Sequence, residues 1–264
     1  MLLNIAFLIS LLVLVSLLIF YFFQEKFIFR NGHRLCKNVP FQFSTPFDEV
    51  FLTTTDQQEI NAVHFRLPSP KGVVLFFHGN KGNLTKWGER VNYFLEYKYE
   101  VFVIDYRSYG KSIGNFNENQ MYEDALLAYA HLKNSFSEDK IVVYGFSLGS
   151  TFATKIAALN SPKELILEAP FYNLKKAVQF VLPFAPTFLL KFKFNTNKDI
   201  PLVTAPITIF HGNRDKTTSF EGAKALLKLN ASSKNAFISI PEGTHHNIRT
   251  FPKYKQILTA LLER

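Results

Sequence analysis

A serine set between two glycines, Gly145-Phe146-Ser147-Leu148-Gly149, follows the apolar run 141–144 and precedes a stretch rich in small residues that includes Ser150, Ala153, Ala157 and Ala158. On a strand-to-helix turn such a serine is forced into a strained backbone position that presents its hydroxyl above the sheet, and the flanking glycines leave no side chain to crowd it. A hydroxyl attacks a carbonyl only when a base takes its proton, and that base needs a partner to fix its tautomer and stabilise its charged form. The chemistry implied is acyl transfer through a covalent intermediate on Ser147. Downstream, Asp215 ends the segment His211-Gly212-Asn213-Arg214-Asp215, and the loop Pro241-Glu242-Gly243-Thr244-His245-His246-Asn247 supplies two candidate bases. Negative charge developing on the substrate oxygen calls for preorganised N–H donors. The backbone N–H groups of Leu148, just after the serine, and of Asn80, in the turn after the third strand, are the candidates.

These residues must be carried by strand ends, and the hydropathy pattern supplies the strands. Segments 48–54 and 59–67 predict an antiparallel opening pair with a turn at Asp56-Gln57-Gln58. The runs 73–77, 101–104, 140–144, 165–168, 207–210 and 236–240 are short and mostly apolar, as buried parallel strands are. Helices are predicted over about 84–97, 121–134, 150–159, 220–229 and 251–263. Strands alternating with helices at this spacing predict a mostly parallel sheet covered on both faces, with ligands bound at the carboxyl ends of its strands. One connection breaks the rhythm: 35 residues separate Pro170 from Pro206, far more than the roughly 2–6 of an ordinary strand–helix loop. This insert, about 171–205, carries seven aromatic residues and the cations Lys175, Lys176, Lys191 and Lys193. It predicts a small helical cap, its aromatics lining an acyl pocket or touching lipid, or else simply packing on the domain.

The order Ser, Asp, His along the chain is that of α/β hydrolases. The chain resembles that superfamily, and in particular the membrane-anchored serine hydrolases related to serine aminopeptidases, lipid esterases and protein depalmitoylases. The matching segments are His78-Gly79-Asn80-Lys81-Gly82-Asn83, Asp105-Tyr106-Arg107-Ser108-Tyr109-Gly110-Lys111-Ser112, the Ser147 turn and the Asp215 turn. The resemblance covers nearly the whole chain and implies an α/β-hydrolase fold with a Ser-His-Asp triad cleaving esters or thioesters, peptidase activity being the rival. In the family the catalytic histidine usually stands directly before Asn, which assigns the base to His246 ahead of His245. Two positions depart from the pattern: Ser108 replaces a common glycine, and Ile248 replaces the acidic residue common after His-Asn. The reading from another class is a catalytically idle binding module on the same fold.

The span Ile5–Phe23 holds 19 residues without a charge or proline, long enough as a helix, at about 1.5 Å per residue, to cross a hydrocarbon core of roughly 30 Å. No basic segment precedes it and no small-residue cleavage site follows, so residues 1–26 are expected to be a single-pass anchor rather than a cleaved leader. Lys26, Arg30, Arg34 and Lys37 follow at once, which places the hydrolase domain, 27–264, on the cytoplasmic side. The formal net charge of +9 is spread along the chain without a nucleic-acid motif, so membrane lipids, not nucleic acid, are the expected partners. No cofactor or metal is expected: the adjacent His245 and His246 have no evident third ligand, and Gly110-Lys111-Ser112 lacks the glycine a phosphate cradle needs, having Asp105 there. The lone Cys36 permits no internal disulfide. A monomer is expected, acting on a small-molecule or lipid acyl substrate.

Overall fold

The computed structural model describes residues 2–263. Eight strands form one sheet: β1 (Asp48–Thr53), β2 (Glu59–Phe65), β3 (Gly72–Phe77), β4 (Tyr99–Ile104), β5 (Ile141–Phe146), β6 (Glu164–Glu168), β7 (Ile207–Gly212) and β8 (Ala236–Ile240). Their order is β1-β2-β4-β3-β5-β6-β7-β8, with β2 antiparallel to both its neighbours and every later pairing parallel. Strands β3 to β7 are buried along their whole length. That is why their middles read as apolar runs: both faces of a parallel sheet are covered, so both sets of alternating side chains are mostly apolar.

The period-two alternation assigns those runs to two cores. Val73, Leu75 and Phe77 of β3 point to one side, where α3 (Glu118–Lys133) and α4 (Gly149–Leu159) pack, while Val74 and Phe76 meet α2 (Leu84–Val91) and α8 (Pro252–Glu263) on the other. Boundaries differ from the sequence expectation where caps decide them. Helix α3 begins at Glu118 because the Asn117 side chain accepts the Gln120 N–H, a cap worth about 1 kcal/mol. The segment expected as one helix over 84–97 is helical to Val91, then tightens to a 3-10 turn over Asn92–Tyr97 and stops at Lys98, whose φ of 65° is left-handed.

Between β6 and β7 the insert folds as α5 (Leu174–Val181), a 3-10 turn at Thr187–Leu189, and α6 (Thr196–Asp199) running into a further 3-10 turn. Its aromatics divide. Phe171, Phe192 and Phe194 are buried, Phe194 against Phe152 of α4, whereas Phe180, Phe184 and Phe188 face outward. Helix α7 (Phe220–Leu227) then covers β7.

The N-terminal helix α1 (Leu2–Ile28) is long and apolar enough to cross a membrane. It runs two residues past the boundary expected at 26, and its last turns are built into the body. Gln24 is fully buried: its amide donates to the Leu189 carbonyl at 3.1 Å and its oxygen accepts the Lys191 N–H at 2.7 Å. Phe29 stacks on Phe116 at 4.1 Å and meets Phe192 edge-on.

Candidate active site

Three turns at the carboxyl ends of β5, β7 and β8 converge. In the first, Ser147 has a φ of 52°, the left-handed conformation that side chains rarely adopt. It is held there by its N–H, which donates to the Glu168 carbonyl of β6 at 2.9 Å. Both glycines are required for contact rather than for flexibility. A Cβ on Gly149 would overlap the Phe77 carbonyl, and one on Gly145 would lie 2.6 Å from the Gly149 oxygen. The helix thus enters close against β3 and β5, with Ser147 at its mouth.

The hydroxyl of Ser147 lies 3.0 Å from Nε2 of His245, and Nδ1 of His245 lies 2.7 Å from Oδ2 of Asp215. All three are buried. Asp215 is itself fixed: the N–H groups of Thr217 and Thr218 donate to its Oδ1 at 2.7 and 2.9 Å, and the Thr218 hydroxyl donates to Oδ2 at 2.9 Å. Burial alone would raise the Asp215 carboxyl, but the hydrogen bond and charge of His245, with the Thr218 N–H, outweigh it and hold the group below its ordinary value. The carboxylate therefore stays ionised beside the imidazole. A base so oriented can take the proton of Ser147 as the oxygen attacks.

The base expected from the His-Asn pairing, His246, is not the one brought in. It is exposed, makes no hydrogen bond among the described residues, and lies beside the rings of Phe146 and His245. The loop geometry explains the exchange. Gly243 packs against Gly212 and its carbonyl accepts the Arg214 N–H, which fixes where the loop leaves β8. Asn247 then turns its side chain back to accept the Thr244 N–H at 2.7 Å. Asn247 closes a tight turn around both histidines, and that turn aims the first inward and the second outward.

Asn80 and Leu148 line the same cavity as Ser147. Among the described residues neither backbone N–H donates to another group. The Asn80 side chain is committed elsewhere, donating to the Ile28 carbonyl at 2.9 Å, and the Asn80 carbonyl accepts the Tyr109 hydroxyl at 2.8 Å and the Arg30 N–H at 2.9 Å. These bonds orient the peptide and leave its amide as the donor available to a ligand. The cavity, about 370 Å³, is walled by Phe20, Phe27 and Ile28 of α1 and by Leu174, Val178 and Val181 of α5. Among the described residues Arg30 is the one charged residue lining it, and no carboxylate does.

The remaining motif residues serve the frame. Asp105 accepts the Leu84 N–H and bonds His78, Arg107 pairs with Asp124 at 2.6 Å and Asp56 at 2.7 Å, and Lys111 pairs with Glu49 at 2.8 Å. Ser108 has a φ of 64°, the reason glycine is common there, and its hydroxyl bonds the Gly114 carbonyl. Ile248 is fully buried beneath the histidine loop. Sequence reasoning missed Thr218 and Arg249. For Thr218 a signal existed, since threonines two and three residues after an Asp suit an Asx-type turn. Arg249 has none: its Nε donates to buried Glu168 at 2.6 Å, and its guanidinium sits among the rings of Phe76, Tyr93, Tyr144 and Phe146.

Comparison with known proteins agrees with this architecture. The chain is 27 % identical over 268 residues to protein bem46 of Schizosaccharomyces pombe, covering 94 % of this chain and 89 % of that one. It is 30 % identical over 186 residues to lysophosphatidylserine lipase ABHD12 of Danio rerio, covering 62 % of this chain and 48 % of that longer protein. The solved esterase Pf2001 of Pyrococcus furiosus superposes with a TM-score of 0.71 at 19 % identity, covering 88 % of this chain and 99 % of that one, a likeness of fold. Residues 68–199, half of the chain, match the family described as serine aminopeptidase, S33, and with that match and the fold just described the chain belongs to this family of α/β hydrolases.

Proposed function

We propose that the protein is a membrane-tethered serine hydrolase that cleaves carboxylic esters or thioesters bearing an acyl chain. Ser147 attacks the carbonyl, His245 takes the proton and returns it to the leaving group, Asp215 holds His245, and the amides of Asn80 and Leu148 receive the oxyanion. Water then releases the acyl group by the same route in reverse. The observation that carries the reading is the hydrogen-bonded chain from Ser147 through His245 to Asp215, opening into an apolar cavity built jointly by α1 and the insert.

Lipid-type substrates are favoured over peptides by that cavity's lining. Capture of a free amino terminus needs a carboxylate, and the one acid of the insert, Asp199, is paired with Lys155 at 2.6 Å. The similarity to lysophosphatidylserine lipases supports the same class. Tethering is supported by the integration of α1: residues 24–29 are part of the folded body, so a leader cut away within the span would strip the cavity of Phe20. The basic residues that follow the span support a cytoplasmic side for the hydrolase domain.

The test is covalent labelling of the detergent-solubilised full chain with a fluorophosphonate probe. Wild type should label and Ser147→Ala should not, with turnover of a soluble acyl ester lowered by about 10⁴- to 10⁶-fold. A folded wild type that stays unlabelled while a known serine hydrolase reacts alongside would leave only a binding role for the cavity.

A further inference from the structure

The cavity over Ser147 adjoins a second hollow. Phe20 and Leu182 line the cavity, and the same two residues line a groove of about 630 Å³ between α1 and the insert, whose other walls are Leu12, Val13, Ser16 and Leu17 on the helix and residues 183–186 on the insert. At about 1.5 Å of rise per residue the groove follows α1 for about 12 Å beyond Phe20. That is the part of the helix with high hydropathy and no burial against the body. The facing tip of the insert is equally apolar: Phe184 is 100 % and Phe188 79 % exposed. An apolar patch of this kind marks a surface that meets lipid or another apolar partner.

The tip is pinned alongside the helix. The two hydrogen bonds between Gln24 and the segment Leu189–Lys191 hold it there, and the Lys191 ammonium lies 4.8 Å from the ring centroid of Tyr21. A lysine over a tyrosine ring is an arrangement suited to the headgroup level, with the apolar stem below and the charge in water. If Lys191 and Arg30 stand at that level, Phe184 and the groove lie on the hydrocarbon side of it.

We propose that the tip of the insert, residues 182–190, is a second membrane-inserted element, and that the groove between it and α1 carries the acyl chain of a bilayer lipid sideways to Ser147. The inference rests on the acyl-hydrolase reading of Ser147. Its physical basis is that each methylene drawn through water costs free energy, and a chain sliding along this groove never leaves an apolar surface. The carbonyl would arrive at the Asn80 and Leu148 amides with the polar head beside Arg30.

Two measurements on the full chain in phosphatidylcholine vesicles test it. Ser16→Trp and Ala185→Trp fill the groove outside the cavity, and each should lower the rate on a palmitoyl ester in the vesicle, relative to a water-soluble butyryl ester, by about tenfold or more. An unchanged ratio in both variants overturns the route. Separately, the chain has a single tryptophan, Trp87, which is buried, so the indole introduced by Phe184→Trp can be followed by difference. Quenching by acyl-brominated lipid and protection from aqueous iodide supports insertion; the reverse pattern overturns it. Wild-type labelling by fluorophosphonate, run in parallel, reports the serine-hydrolase reading independently of either result.

Discussion

Alanine replacement of His245 and of His246, one at a time, separates two adjacent imidazoles that the sequence treats alike. His245 bonds Ser147 at 3.0 Å and Asp215 at 2.7 Å. Removing it leaves the hydroxyl without an acceptor for its proton and the buried Asp215 carboxylate with only the Thr217 and Thr218 donors. Loss of a triad member costs about 10⁴- to 10⁶-fold in turnover, or about 5.5–8 kcal/mol of barrier. His246 is exposed, its imidazole is held below its ordinary value by burial of its inner edge and by the charges of His245 and Arg90, and its ring contacts are at 4.9 and 6.1 Å. A surface change of that kind is worth about 0.5 kcal/mol, or about twofold. The two variants should therefore differ by about 10³-fold or more in kcat/KM on a soluble ester, and His245→Ala should react far more slowly with the fluorophosphonate. An active His245→Ala beside an inactive, folded His246→Ala would refute the geometry of the loop.

Arg249→Met removes the cation that pairs with Glu168, a residue 1 % exposed whose carbonyl holds the Ser147 N–H. Breaking one side of such a buried pair costs about 3–5 kcal/mol, so urea unfolding should shift markedly and turnover should fall with it; unchanged stability would mean the pair is not buried as described. Gly149→Ala places a methyl on the Phe77 carbonyl, and the forced backbone shift should cost about 1–3 kcal/mol and slow labelling of Ser147. Acid titration follows Asp215, whose native value is depressed below 3.8. Its stabilisation is fully present above that unfolded value and is lost as pH falls through the native one, so the stability gap between wild type and Asp215→Asn should be flat above about pH 5 and close only in stronger acid. A gap that narrows between pH 7 and 5 would contradict the assignment.

The sheet, the Ser147 turn and the Asp215 turn were legible because each is specified locally. A buried parallel strand must be a short apolar run, and a serine flanked by glycines at its end has few other conformations open to it. Residues near one another in sequence carry that information whatever lies across the molecule. The choice of base was not legible. His245 and His246 are neighbours of the same type, and which one turns inward depends on the Gly243–Gly212 contact and on Asn247 folding back to Thr244. Asn247, expected to mark the base, closes the turn instead. The same limit applied to the insert: its pattern allowed either packing or an outward-facing apolar surface, and the fold buries Phe171, Phe192 and Phe194, with Phe192 against Phe29, and leaves Phe180, Phe184 and Phe188 exposed. Composition alone determined that α1 is long and apolar enough to span a membrane. Only the tertiary structure decided that its last turns form a wall of the cavity over Ser147, because that wall exists where Gln24 meets a backbone segment more than 160 residues away in the chain.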